Sequence, residues 1–259
     1  MTGQEARPPG HVNGSEPGAV PAPSGLDVSR PNVARVYDFL LGGKDNFEAD
    51  RAAAEMLVRV LPYSALACRQ NRQFLGRVVS YLVREKGIRQ FIDIGSGLPT
   101  ADNVHEIAQK IDPGARVVYA DYDPVVALHS KVLLEGSEGV RVVQADFRDP
   151  GSILGDPGVG ELIDLGQPAA ILMFAILHFL PDAEQPYEIV RRFTQAMAPG
   201  CYLALSHITD EAVSPETRQA AQQVYQGASA PAVPRSREGI ARFFDGLELT
   251  GPSALTGQR

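Results

Sequence analysis

The chain has 259 residues, 44% hydrophobic and 21% charged, a balance that suits a folded protein with a sizeable core. Its formal charge is −7 with no basic run to offset it locally, which disfavours sequence-blind binding to nucleic acid or to an anionic membrane. Two widely spaced cysteines, Cys68 and Cys201, spell neither a disulfide framework nor a zinc motif, and no run reads as a signal peptide or as a membrane span of about 18 apolar residues, so the expected setting is the cytoplasm.

Residues 1–31 hold six Pro and five Gly among Ser, Glu and Arg, and are expected to form a disordered tail. Residues 32–86 read as a helical section. Val33, Val36, Tyr37, Leu40 and Leu41 recur at helical spacing before Gly42-Gly43, and Ala53, Met56, Leu57 and Val60 share one face of a second helix that Pro62 ends. A third helix runs to about Arg84 with Leu75, Val78, Val79 and Leu82 aligned. Residues 87–259 form the second unit. Short apolar runs at 90–94, 116–120, 140–143, 170–174 and 202–206 alternate with helical patterns such as Val104, Ile107, Ala108 and Ile111, which predicts a doubly wound, mostly parallel α/β sheet. Ser214-Pro215-Glu216 opens a further helix that Gly227 closes, residues 228–234 read as loop, and residues 247–249 are a candidate sixth strand.

The most informative stretch is Phe91-Ile92-Asp93-Ile94-Gly95-Ser96-Gly97-Leu98-Pro99-Thr100, an apolar strand ending in Gly-x-Gly and expected to enter a helix with Pro99 in its first turn. Such a turn lets a ligand approach the backbone, and it serves equally as a tight turn with no ligand. Asp121, 24 residues past Gly97, ends the next strand, where a carboxylate can accept from both hydroxyls of a ribose. Asp146, followed by Phe147, ends the strand after that. Each acid could simply cap a turn. Together Asp93, Asp121, Asp123 and Asp146 would line one carboxyl edge of the sheet and favour a cationic ligand. A dinucleotide brings a pyrophosphate that Asp93 opposes, and Thr100 stands where the dinucleotide fingerprint has its third small residue. S-adenosylmethionine brings a sulfonium and an ammonium instead, and is favoured over NAD.

Asp-Ile-Gly-Ser-Gly, with strands ending at Asp121 and Asp146, resembles the seven-stranded Rossmann-like S-adenosylmethionine-dependent methyltransferases over about residues 88–208. More narrowly, ARVYDFLLGGKDNFEADRAAAE at 34–55, NRQFLGR at 71–77, IRQFIDIGSGLPTADNVHE at 88–106 and VVYADYDPVV at 117–126 resemble the bacterial S-adenosyl methyltransferase family once filed as a domain of unknown function. The resemblance implies a Rossmann-like methyltransferase domain over 87–259 with S-adenosylmethionine as cofactor. It places Asp93, Gly95, Ser96 and Gly97 at the methionine part, Asp121 at the ribose, Asp146 and Phe147 at the adenine, and Tyr122 on the adenine's other face. The motif from Tyr37 to Asn46 would fold over the cofactor, which makes 32–86 a helical lid. One departure stands out. Enzymes of this architecture finish with a reversed hairpin, whereas residues 250–259 hold two Gly and one Pro, so the final strand is expected to be incomplete.

Methyl transfer from a sulfonium is a direct displacement, which needs alignment and exclusion of water more than a base. By the resemblance, residues 174–182 face the transferable methyl, with Ala175 among the cofactor contacts. His178 there is a candidate base, or it packs in the loop or bonds Asp182; His207 is a second candidate, and Tyr37 could act at the site or wall it. No metal is expected. Phe174-Ala175-Ile176-Leu177 stands where amino-methylating DNA enzymes carry an Asn-Pro-Pro-Tyr-like motif, and neither Cys follows a Pro, as a cytosine carbon-five nucleophile would. A small-molecule acceptor is therefore expected, between the helical section and a loop at 228–236. Arg69, Arg72 and Arg77 either meet an anionic group or form a solvated face. The alternatives are a catalytically inactive regulator that binds the same cofactor and, less favoured, an NAD-dependent dehydrogenase.

Overall fold

The strand residues alternate between two cores in the computed structural model, which describes residues 27–99, 102–134, 136–211 and 213–250. Most of the expected N-terminal tail, residues 1–26, lies outside this set. In chain order the elements are α1 (Val33–Leu41), α2 (Glu48–Val60), α3 (Ser64–Lys86), β1 (Gln90–Ile94), α4 (Val104–Ile111), β2 (Arg116–Asp121), α5 (Pro124–Leu134) and β3 (Val140–Gln144). There follow α6 (Pro150–Leu154), α7 (Pro157–Leu162), β4 (Ala170–Phe174), α8 (Pro186–Gln195), β5 (Tyr202–Ser206), α9 (Pro215–Gln226) and α10 (Arg237–Ala241).

The strands pair in parallel in the order β3-β2-β1-β4-β5. Ile92, Ile94, Val118, Ala120, Ile171 and Met173 face one core, which Phe147 of the loop after β3 and Val190 and Phe193 of α8 complete. The intervening Phe91, Val117, Tyr119, Ala170, Leu172 and Phe174 face a second core, closed by Leu75, Val79 and Leu82 of α3 and Val104 and Ala108 of α4. Both faces are covered, so these strands read as continuous apolar runs rather than as polar alternation. The chain reverses direction across the sheet between β1 and β4, and that reversal opens a crevice beyond their carboxyl ends.

The N-terminal helices are built by capping and by a polar brace. Asn32 caps α1, its Oδ1 accepting from Ala34 N at 2.8 Å, and Gly42 ends the helix at φ 87°. Arg35 and Asp50 pair at 2.8 Å with both side chains buried, and Asp50 also accepts from the backbone N–H of Asn32 and Phe47. Val36, Leu40, Ala53, Ala54 and Leu57 then pack against Ala221, Val224 and Tyr225 of α9. The expected lid over 32–86 is thus divided. α1 and α2 share their core with α9 from the far end of the chain, while the later turns of α3 belong to the sheet layer.

Two local expectations change. The helix after the glycine turn starts at Val104 rather than at Pro99, because Asn103 opens it and its N–H donates to Glu106 Oε2 at 2.7 Å; residues 100–101, including Thr100, lie outside the described set. Residues 247–249 form no strand: the Leu247 N–H closes a turn on Phe244 O at 2.9 Å, and Leu247 and Leu249 are exposed. Among the described residues the sheet ends at β5, and residues 251–259 lie outside them. After β3 come two short helices, each opened by an Asp-Pro pair whose Asp accepts from the following backbone. Among the described residues no helix is long and apolar enough to cross a membrane.

Candidate cofactor site

The crevice between β1 and β4 is a cleft of about 800 Å3, mouth included, lined from three directions. The turn after β1 contributes Asp93, Gly95, Ser96, Gly97 and Leu98, and the end of β2 contributes Asp121, Tyr122 and Asp123. Phe174, Ala175, Ile176 and Phe179 come from the end of β4. Gly95 sits at φ +65°, donates to Ala120 O at 2.8 Å, and would carry a Cβ only 2.5 Å from the Ile176 side chain. Gly97, at φ +66°, has nothing within 4 Å of that position, so its open side is available to a ligand. Ala175 also occupies the left-handed region, at φ 54°, held by a bond from its N–H to Ser206 Oγ at 2.9 Å.

Two acids dominate the charge at the turn. Asp93 is buried, and that burial pushes its carboxyl up to about 7; Arg72 pulls it down and the Asp121 charge adds to the rise. Asp121 accepts from Gly97 N at 2.9 Å and from Asp123 N at 3.0 Å, yet burial still holds it at about 6. Asp123 is committed elsewhere. Its Oδ1 accepts from Val125 N at 2.7 Å at the start of α5, and its Oδ2 accepts from the side chain of Asn32.

The third wall comes from α1 and α3. Val33, Ala34, Tyr37, Asp38 and Leu41 line the cleft from α1, and Asn71, Arg72 and Leu75 from α3. The Tyr37 hydroxyl donates to Cys68 O at 3.2 Å and accepts from Asn71 Nδ2 at 2.9 Å, and burial raises it to about 12. With its hydroxyl so engaged, Tyr37 stands as a wall residue. Asp38 accepts from Asp45 N at 3.0 Å and Asn46 Nδ2 at 2.8 Å, which folds the loop after α1 back on the helix. Of Arg69, Arg72 and Arg77 on α3, Arg72 lines the cleft and donates to Asp102 O at 3.1 Å, whereas Arg69 and Arg77 are exposed.

Other expected site residues stand apart from this lining. Asp146 accepts from Arg148 N at 2.9 Å and pairs with its guanidinium at 3.3 Å, while Phe147 is buried in the core. His178 is buried beside Phe179 and His207 with Nδ1 unpartnered, and burial holds its ring well below the usual imidazole range. Of the alternatives for His178, packing in the loop is what the structure shows, and Asp182 accepts from Arg235 at 2.7 Å instead. Arg235 also donates to His207 Nε2 at 2.9 Å; since a guanidinium only donates, Nδ1 carries the His207 proton and gives it to Ile208 O at 2.7 Å. Burial, with the Arg235 charge beside it, lowers His207 to about 4 against the bond to Ile208. The loop at 228–236 supports the cleft from behind: Ala228 and Ala230 pack on Val33, and Ser229 Oγ accepts from Val33 N at 3.2 Å.

Sequence reasoning missed Asn32, whose signal was its place as an N-cap residue immediately before the first apolar position of α1. It also missed Asn71, which faces Tyr37 and carries no signal of its own. Among the described residues no three His, Cys, Asp or Glu side chains converge as metal ligands.

The lining suits S-adenosylmethionine. The buried Asp93 carboxyl, raised by desolvation, would regain its charge beside a cationic ligand, Asp121 offers a second buried acceptor at the same turn, and the open side of Gly97 leaves backbone accessible. A profile of the S-adenosyl methyltransferase family matches residues 20–259. A candidate methyltransferase from Thermobifida fusca YX is 43% identical, with a TM-score of 0.85 over 90% of this chain and 87% of its own. A DUF574-family protein from Streptomyces avermitilis MA-4680 is 39% identical, with a TM-score of 0.84 over 87% of each chain. No curated protein matches the chain. On its cleft, its sheet and these matches, the chain belongs to the S-adenosyl methyltransferase family and is an S-adenosylmethionine-dependent methyltransferase.

Proposed function

We propose that the enzyme methylates a small apolar or aromatic acceptor in the cytoplasm, and that α1 and α2 act as a lid over the cofactor held by residues 87–259. The observation that carries this reading is the composition of the cleft beyond its acidic turn: Tyr37, Leu41, Leu75, Phe174 and Phe179 offer aromatic and aliphatic surface. The net charge of −7 supports a small molecule over a nucleic acid.

In this reading Asp93 takes the cationic methionyl end on the backbone of Gly95, Ser96 and Gly97, and Arg72 takes its carboxylate. Asp121 accepts from the ribose, Tyr122 covers the adenine, and the strained backbone at Ala175 borders the reacting centre. Asp146 and Phe147 drop out of the set, since one is turned to Arg148 and the other is packed in the core. When bound, the cofactor supplies a methyl group activated by its sulfonium. The protein aligns the acceptor on the apolar wall and excludes water beneath α1, and no side chain has to remove a proton from an acceptor that ionises readily.

The test is calorimetric titration with S-adenosylmethionine, S-adenosylhomocysteine and NAD, followed by a turnover screen of small phenols, aromatic amines, aliphatic acids and short oligonucleotides. Binding of the first two ligands, with product formed from the aromatic compounds, is the expected result. Turnover confined to oligonucleotides or aliphatic acids would remove the acceptor assignment.

A further inference from the structure

A continuous path of buried polar groups joins the lid to the glycine turn. Asp50, paired with Arg35, accepts from Asn32 N at 2.8 Å. Asn32 spends its own Oδ1 on capping α1 and donates from Nδ2 to Asp123 Oδ2. The Asp123 N–H donates to Asp121 Oδ1 at 3.0 Å, and Asp121 Oδ2 accepts from Gly97 N at 2.9 Å. Asn32 and Asp123 are 7% and 4% exposed, so water competes little for the bond between them. They lie 91 residues apart in sequence, one at the first residue of the lid and the other two residues past the ribose carboxylate.

We propose that Asn32 is a positioning residue: through Asp123 it fixes the orientation of Asp121 and latches α1 over the cofactor, so that cofactor exchange requires the Asn32–Asp123 bond to open. This rests on the reading that Asp121 contacts the ribose. The amide is suited to both tasks. Its oxygen satisfies two N–H groups of the α1 first turn, and its nitrogen supplies the donor that Asp123 needs. Serine or aspartate could cap the helix as well, but neither presents that donor at the same reach with the cap kept.

That difference defines the experiment. Asn32→Ser retains a capping hydroxyl and loses the latch. Asn32→Asp retains the cap and sets two carboxylates against each other. The double variant Asn32→Asp/Asp123→Asn reverses the donor and the acceptor while keeping both caps, because the amide oxygen placed at 123 can still accept from Val125 N. Affinity and dissociation rate for S-adenosylmethionine are measured by calorimetry and stopped-flow displacement, with urea midpoints in parallel. Asn32→Ser is expected to weaken binding about tenfold, chiefly through faster release, and Asn32→Asp to weaken it further. The double variant is expected to return affinity to within about threefold of the parent. A residue that only supported the helix would shift the urea midpoint and leave the release rate alone. Unchanged release in Asn32→Ser, or a double variant no better than Asn32→Asp, overturns the proposal. Asp121→Asn is the control: if it leaves affinity intact, the reading of the cleft falls and the latch with it, whereas weakened binding there with intact Asn32→Ser removes the latch alone.

Discussion

Replacing Asp93 with Asn keeps the size of the side chain and removes its charge, so it isolates the electrostatic part of cofactor binding. Burial holds the Asp93 carboxyl at about 7 in the free protein, against the pull of Arg72. A cationic ligand stabilises only the ionised form, so binding must release a proton wherever the free carboxyl is still protonated. Affinity therefore falls as pH drops below that value. The ionised fraction is roughly three quarters at about pH 7.5 and about 3% at about pH 5.5, which makes the loss about 25-fold, or about 2 kcal/mol. Asp93→Asn is expected to bind more weakly at about pH 7.5 by roughly 1.5 to 3 kcal/mol, the worth of a hydrogen bond to a charged group. It should also lose most of the slope, keeping the smaller part that comes from Asp121, held at about 6. The ligand's own amino group, near about 8, sets the upper end of the useful range. Calorimetry in two buffers of different ionisation enthalpy gives both the Kd and the protons released. A parent Kd that stays flat from about pH 5.5 to about 7.5, or a variant that keeps the full slope and proton release, refutes the argument.

The same carboxyls govern the stability of the free protein, with the opposite sense. A group raised from 3.8 to about 7 by folding favours the native state while protonated, and that contribution is lost as pH rises through the folded value. The urea-derived stability of the ligand-free protein should fall between about pH 4 and about pH 8, by up to about 4 kcal/mol from Asp93, and Asp93→Asn should flatten the decline. Gly95→Ala brings a Cβ to 2.5 Å from Ile176 and should cost about 2 to 4 kcal/mol of stability, whereas Gly97→Ala meets no neighbour, should cost about 1 to 2, and should show its main effect in cofactor affinity. His178→Gln should leave the shape of the pH–rate profile unchanged, because the ring lies outside the cleft lining; a lost limb would reinstate it as a base. Tyr37→Phe removes both hydroxyl bonds to α3 and should lower stability by about 1 to 2 kcal/mol with kcat within about threefold of the parent, since the ring and not the oxygen forms the wall.

How far the sequence could be read follows from which forces are local. The five strands were legible because each carries a run of apolar residues that both faces of a parallel sheet demand, and the glycine turn was legible because only glycine tolerates φ +65° with Ile176 pressed against it. Asp93 and Asp121 were legible as strand-end acids. Asp123 and Asp146 carry the same signal, yet one caps α5 and the other turns to Arg148 two residues on. A carboxylate's position on the edge is a matter of strand register, but its direction is decided by whichever donor lies within reach, and that donor can be 91 residues away, as Asn32 is. The partition of the N-terminal helices was hidden for a related reason. α9 has no fully buried residue and only a modest apolar stripe, so nothing in residues 215–226 announces that Ala221 and Val224 close the core of α1 and α2.

The two halves of the cleft differ in what holds them. The β1 and β4 ends are fixed by a sheet whose central side chains are essentially inaccessible, so the glycine turn is held in place and Ala175 can keep a left-handed conformation against local preference. α1 and α2 are braced by each other: Arg35 and Asp50 are paired between them, and separating the two helices from the sheet would leave neither charge stranded. Their polar ties to the rest of the cleft include one hydrogen bond from Asn32 to Asp123, two between Tyr37 and α3, and one from Val33 to Ser229. Each is worth about 1 kcal/mol, whereas disturbing the buried pair would cost about 3 to 5. A direct displacement asks for a sulfonium side that is held still, and a turn fixed by the sheet at the ends of β1 and β4 supplies that.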